Sequence, residues 1–226
     1  MTPLRFAVLA SGGGSNLQAI LDRINAGDLS AQLVFAASNN SKAYALERAR
    51  QYGVPAYHVS AKTEGSESAA TAKLLEILEQ HPVDLLVLAG YMKKVPDALL
   101  HRLKNRVINI HPALLPAFGG EGFYGERVHE AVVQRHSEFT GVTIHMVNEE
   151  YDEGQIILQR RLRVPEGVDA KTLATLVLAK EHDTYWRVLK AFGDGDIVPT
   201  KSDNPAEAVR INLEWLQRMR SLDGAP

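Results

Sequence analysis

In Asn109-Ile110-His111-Pro112, two polar side chains close an apolar run that begins at Val107 and Ile108. Asn109 and His111 are two residues apart, so on an extended strand both point to one face. Pro112 has no N–H to give a ladder and restrains His111 to extended geometry, so the strand stops there. An amide N–H beside an imidazole suits acyl chemistry. The amide can stabilise a developing oxyanion, and the imidazole can move a proton or donate to the same oxygen. A histidine working near neutrality needs a partner to set its tautomer and charge. Asp152, two residues before Gly154 at a turn between two alternating segments, offers a carboxylate. Beside His111 it is expected to favour the imidazolium and raise its pKa. No nucleophilic serine is required, so the expected chemistry is direct transfer rather than a covalent intermediate. Each part also has a plain reading: His-Pro as a structural strand end, and Asp-x-Gly as turn chemistry.

The segment Ala10-Ser11-Gly12-Gly13-Gly14-Ser15-Asn16 lies between an apolar run and a helical pattern. Glycines there let backbone approach an anion, and a helix N-terminus adds free N–H groups and a favourable dipole. A dinucleotide fingerprint is not met. Leu17 stands where a third glycine or alanine belongs, and the second strand ends in Ala-Ser-Asn-Asn with no acidic residue. No lysine follows as in a phosphate loop of the G-x-x-x-x-G-K type. A mononucleotide phosphate fits the turn, as does a tight strand-to-helix connection capped by Ser15 or Asn16. His111, His129, His136, His145 and His182 lack a ligand spacing, so no metal is expected.

These residues sit in an alternation of short apolar strands and helices. Strands are expected at 4–10, 31–38, 54–60, 84–90 and 106–110, with helices at 16–27, 43–53, 68–81 and 98–103. Strands apolar along their length and separated by helices indicate a parallel sheet covered on both faces. Segments 140–147 and 154–164 alternate apolar and polar residues, which predicts a half-exposed antiparallel pair. A long helix is expected over 170–192 and a terminal one over 205–222. The fold class is therefore α/β, an open, mostly parallel sheet flanked by helices with an antiparallel pair in the C-terminal half. We expect one domain over 1–204, with halves of about 1–104 and 105–204, followed by a terminal helix and tail over 205–226.

The whole chain bounds the rest. Across 226 residues, 25 Lys and Arg oppose 27 Asp and Glu, giving a net charge of −2. That balance predicts no nucleic-acid partner and no attraction to an acidic membrane. There is no cysteine, so disulfides, thiolate metal sites and cysteine nucleophiles are excluded. No signal peptide and no 18-residue apolar stretch is evident, and a cytoplasmic protein is expected.

Four segments, Ser11–Ile20, Leu86–Val95, Val107–Pro116 and Tyr151–Ile157, occur in an order and spacing that resembles the folate-dependent formyltransferases, and within them the glycinamide ribonucleotide formyltransferases. The resemblance covers roughly residues 4–195 and implies their Rossmann-like formyltransferase fold. It also implies transfer of the formyl group of 10-formyltetrahydrofolate to glycinamide ribonucleotide, in purine biosynthesis and without a metal. Asn109, His111 and Asp152 would then be catalytic. Gly14, Ser15 and Asn16 would hold the substrate phosphate, and Glu181 the ribose. Met92, Lys93, Lys94 and Val95 would line the folate site, with backbone near Asn148, Glu149, Glu150, Tyr151 and Asp152 reading the pterin edge. A cis peptide is implied at Leu115–Pro116. The chain departs from the family pattern in having Ala113 where serine is usual and Lys93 where arginine is frequent. It also lacks an arginine near 64–68 and has a longer loop over 117–130. Partners would be these small molecules only, with the chain a monomer or homodimer. A formyltetrahydrofolate hydrolase and a nonenzymatic nucleotide-binding module are the alternatives. A tRNA formyltransferase would need a further C-terminal domain, and sugar-nucleotide formyltransferases fit the phosphate turn less well.

Overall fold

Phe6, Ala7, Val8 and Leu9 are all shielded from water, as are Leu85 to Leu88 and Leu33 to Ser38 apart from a half-buried Val34. Such uniformly apolar strands need cover on both faces, and intervening amphipathic helices supply it. The structure, a computed structural model, describes residues 2–223; positions 224–226 of the expected tail lie outside them. Seven strands form one mixed sheet in the order β3-β2-β1-β4-β5-β6-β7, with a separate two-stranded sheet, β8-β9. The chain divides into two compact units, the first ending at Ile108 and the second beginning at Asn109.

The first unit contains β1 (Leu4–Leu9), α1 (Ser15–Asn25), β2 (Ala31–Ser38), α2 (Tyr44–Gln51), β3 (Ala56–His58), the single turn α3 (Ala61–Glu64), α4 (Glu67–Gln80), β4 (Leu85–Leu88) and α5 (Asp97–Arg102). β1 pairs in parallel with β2 on one side and β4 on the other, and β2 with β3. The strand order thus reverses direction between β1 and β4, the place where open α/β sheets bind ligands. The turn after β1 and the segment after β4 meet there. The Ser11 N–H donates to the Gly90 carbonyl at 2.9 Å.

β5 (Val107–His111) crosses the boundary between the units. The second unit continues with α6 (Glu126–Gln134), β6 (Phe139–Met146), β7 (Ile156–Arg163), α7 (Ala170–Asp194), β8 (Ile197–Pro199), β9 (Val209–Ile211) and α8 (Leu213–Ser221). β6 and β7 pair antiparallel, as alternation predicts. β6 is not half-exposed, however: Thr140 to Met146 are all buried, because α7 packs on this strand. The Asp169 carboxylate caps α7 by accepting from the Thr172 N–H at 2.7 Å, and Gly195 ends the helix with φ 84. α6 was not among the expected helices.

The expected terminal helix over 205–222 is broken into three pieces. Asn204 and Pro205 start a short 3₁₀ turn through Glu207, and β9 then pairs with β8. The Asn212 side chain accepts from the Glu214 N–H at 3.0 Å to begin α8 anew. Pro205 suits only a helix start, and β-branched Val209 and Ile211 satisfy their backbone in a ribbon. After α8, Asp223 returns to β7. It accepts from Arg160 Nε at 3.0 Å, from Lys180 at 2.9 Å and from the Arg161 N–H at 2.8 Å. Arg160 is buried, and Asp183 also pairs with its guanidinium, so the charge is matched on two sides.

A side chain at Gly141 in β6 would fall on the Arg160 carbonyl opposite. Gly141→Ala should therefore destabilise the protein by about 2–3 kcal/mol. A urea unfolding curve matching wild type would show that the ladder can shift at no cost.

Candidate active site

β5 delivers Asn109 and His111 at its end, and the turn between β6 and β7 delivers Asp152. Asp152 Oδ2 lies 3.5 Å from His111 Nδ1. Its Oδ1 lies 3.5 Å from Nε2 of His145, a buried residue of β6. The same Nε2 is 3.1 Å from Asn109 Nδ2. His145 Nδ1–H donates to the Met146 carbonyl at 2.8 Å, which leaves Nε2 to accept from the Asn109 amide. On its other edge, His111 Nε2–H donates to the Phe118 carbonyl at 2.7 Å, and the Gly120 N–H donates to Asp152 Oδ2 at 3.0 Å. Asn109, His111 and Asp152 thus come together, with His145 as a fourth member that the sequence did not single out.

The charges differ from expectation. Burial pushes His111 below its ordinary pKa, and Asp152 and the Phe118 carbonyl, which both favour the charged ring, do not offset it. The expected rise is thus reversed: the carboxylate is shared with His145 and stands 3.5 Å off, while the ring is almost fully desolvated. At neutral pH the resting ring is neutral. For Asp152, burial works toward the acid form, but the His145 ring, the Gly120 amide and His111 outweigh it and hold the carboxyl below its usual range. The arrangement is a neutral imidazole beside a fixed anion. His129 on α6 is buried nearby, and its pKa is lowered first by burial and then by His111.

The local backbone explains the Asp-x-Gly spacing. Asp152 itself takes the left-handed conformation, φ 59, at the turn. Gly154 does not; a Cβ there would fall on the Met146 carbonyl, so this glycine permits a close approach of two strands. The loop after His111 is held by Thr143, whose hydroxyl donates to the Ala113 carbonyl at 2.7 Å and accepts from the Leu115 N–H at 3.0 Å. Leu115–Pro116 is cis. Among the cosubstrate candidates of this unit, Glu149, Glu150 and Tyr151 are exposed, while Asn148 is half-buried and its side chain accepts from the Glu150 N–H at 3.3 Å. Glu181 is buried on α7.

In the first unit the glycine turn forms a second cluster. Gly14 sits at the N-cap of α1 with φ 69, and no side chain caps the helix, so neither Ser15 nor Asn16 serves as its cap. A Cβ on Gly14 would crowd Ala45 of α2, whereas one on Gly12 or Gly13 would meet nothing within 4 Å. The turn is thus open above Gly12 and Gly13 and closed below Gly14. Arg48, missed by sequence reasoning because its partners lie some thirty residues away, donates to the Gly13 carbonyl at 2.8 Å and to Gln18 at 2.7 Å. The Ser11 hydroxyl joins the turn to the segment after β4 by accepting from the Met92 N–H at 2.8 Å. Met92, Lys93 and Lys94 are exposed there, Val95 is buried, and Lys93 pairs loosely with Glu67 at 3.6 Å. Among the described residues no three His, Asp or Glu side chains are grouped to hold a metal ion, and no helix is long and apolar enough to cross a membrane.

Comparison with known proteins places this geometry in a family. Residues 4–189 match the family model for formyl transferase. The chain is 33% identical over 217 residues to phosphoribosylglycinamide formyltransferase of Escherichia coli, covering 96% of this chain and 95% of that one. It is 40% identical over 188 residues to the chloroplastic phosphoribosylglycinamide formyltransferase of Arabidopsis thaliana, and the match spans 64% of that relative's length. The crystal structure of glycinamide ribonucleotide transformylase 1 from Symbiobacterium toebii superposes with a TM-score of 0.82 at 38% identity, over 93% of this chain and 94% of that one. The chain belongs to the formyl transferase family.

Proposed function

We propose that the chain transfers the formyl group of 10-formyltetrahydrofolate to the amine of glycinamide ribonucleotide, giving formylglycinamide ribonucleotide and tetrahydrofolate in purine biosynthesis. The observation that carries this reading is the group of Asn109, His111, Asp152 and His145, with both imidazoles buried, in a chain of this family. Its donor set fits a formyl carbonyl. An amide N–H can meet the oxygen, a neutral imidazole can take a proton, and a carboxylate can hold the charge that results.

In this mechanism the Asn109 amide donates to the formyl oxygen as the amine attacks and negative charge develops there. His111, neutral at rest, accepts the proton that the amine sheds and returns it to the leaving folate nitrogen, so the proton count closes without a covalent intermediate. Once charged, the imidazolium faces an acceptor on each edge, the Phe118 carbonyl and Asp152. Asp152 therefore stabilises a transient charge rather than maintaining a permanent one. In the N-terminal half, Gly14, Ser15 and Asn16 hold the ribonucleotide phosphate on the uncapped first turn of α1. Glu181 accepts from the ribose hydroxyls. Met92, Lys93, Lys94 and Val95, with the backbone of Asn148 to Asp152, take the folate.

Tetrahydrofolate release should require glycinamide ribonucleotide, and His111→Ala should slow it by about 10²–10⁴-fold. Release without the ribonucleotide would move the chain to the hydrolases, and no release with either would favour a binding module. The pH profile provides a second check. His111 acts as a base and its pKa is held below 6.5, so kcat/KM should fall on the acid side with a midpoint below that value. Asp152 raises the His111 pKa, so Asp152→Asn should move the acid limb lower still while reducing kcat. An acid limb above 6.5 in wild type would contradict a neutral resting ring.

A further inference from the structure

Val209 lies in β9, beyond the residues 4–189 that match the family, yet one side chain occupies both its backbone groups. Gln155 Nε2 donates to the Val209 carbonyl at 3.0 Å, and the Val209 N–H donates to Gln155 Oε1 at 2.8 Å. Opposite Val209 in the β8–β9 ribbon stands Pro199, which has no N–H, and the Val209 groups face away from that ladder. The Gln155 amide thus substitutes for a neighbouring strand and covers the ribbon's edge.

The same residue begins a chain of contacts leading to the candidate site. The Gln155 carbonyl accepts from the Met146 N–H at 2.9 Å, and Gly154 packs so close to the Met146 carbonyl that no Cβ would fit. That carbonyl accepts from His145 Nδ1–H at 2.8 Å. The bond decides which His145 nitrogen carries the proton, and so leaves Nε2 as acceptor for Asn109 and neighbour of Asp152. Behind α8, Asp223 anchors the C-terminal segment a second time on Arg160, Lys180 and the Arg161 N–H.

We infer that the C-terminal ribbon braces the formyl-transfer site. Gln155 is a positioning residue that, through Met146, fixes the tautomer and aim of His145 and hence the placement of Asn109 and Asp152. This inference rests on the formyl-transfer reading given above. A side chain that aligns reacting groups without touching substrate affects turnover more than binding.

The test compares wild type, Gln155→Ala and Gln155→Glu, the last retaining the acceptor for the Val209 N–H but losing the donor to its carbonyl. Two readouts are taken on each: steady-state kinetics for both substrates, and the ring-nitrogen NMR signals of His145 without substrate. In Gln155→Ala, kcat should fall about ten- to a hundredfold, KM should stay within about twofold, and the His145 signals should move from one tautomer to a mixture. Gln155→Glu should lie between, and it decides the matter if the alanine variant does not fold. Variants with wild-type kcat, or with lowered kcat and unchanged His145 signals, would overturn the brace. A wild type that transfers no formyl group would instead sink the functional reading, while the His145 signals would still decide whether the ribbon sets the ring.

Discussion

The Asp152 carboxylate, removed from most of the solvent and shared between two imidazoles, is the interaction on which the site depends. A carboxylate withdrawn from solvent stays ionised only where its surroundings favour the charge. Here the Gly120 N–H donates to it, and the rings of His111 and His145 stand 3.5 Å from its two oxygens. Those contacts keep Asp152 ionised while burial keeps His111 neutral. Burial thus leaves the base neutral, while the contacts around Asp152 outweigh burial and leave it an anion. That separation suits a proton that must be taken up and given back within a single turnover.

Local rules are broken where this arrangement requires it. Asp152 takes a positive φ, β5 ends in polar side chains, and Gly154 lets the Met146 carbonyl approach where any other residue would push it away. A few well-satisfied contacts pin the exceptions. Thr143 ties down the loop after His111, and Gln155 and Met146 tie down the turn from the other side. In the first unit the same logic appears at the glycine turn, where Ala45 closes one side of Gly14 and Arg48 holds the Gly13 carbonyl. Side chains far along the sequence shape both clusters, because each lies where several strand ends converge.

The C-terminal segment shows why composition alone misjudges packing. Its pattern reads as one amphipathic helix, but Pro205, the β-branched Val209 and Ile211, and the capping Asn212 divide it. Asp223 then answers the buried charge of Arg160 across 63 residues of sequence. No window of sequence contains both partners, so the pairing could not be read from spacing.

What the sequence determined by itself was periodic or local. Uniformly apolar runs predicted the parallel strands, alternation predicted the antiparallel pair, Pro112 marked the end of β5, and the order of four segments identified the family. Asn109, His111 and Asp152 were legible because strand alternation and turn chemistry act over two or three residues. Tertiary structure alone decided the rest. It brought His145 between Asn109 and Asp152, joined Gln155 to Val209, and reversed the expected shift of His111. The physical reason is the same in each case. Burial and long-range hydrogen bonds depend on which surfaces meet, and their balance sets each charge: burial prevails at His111, and the contacts prevail at Asp152.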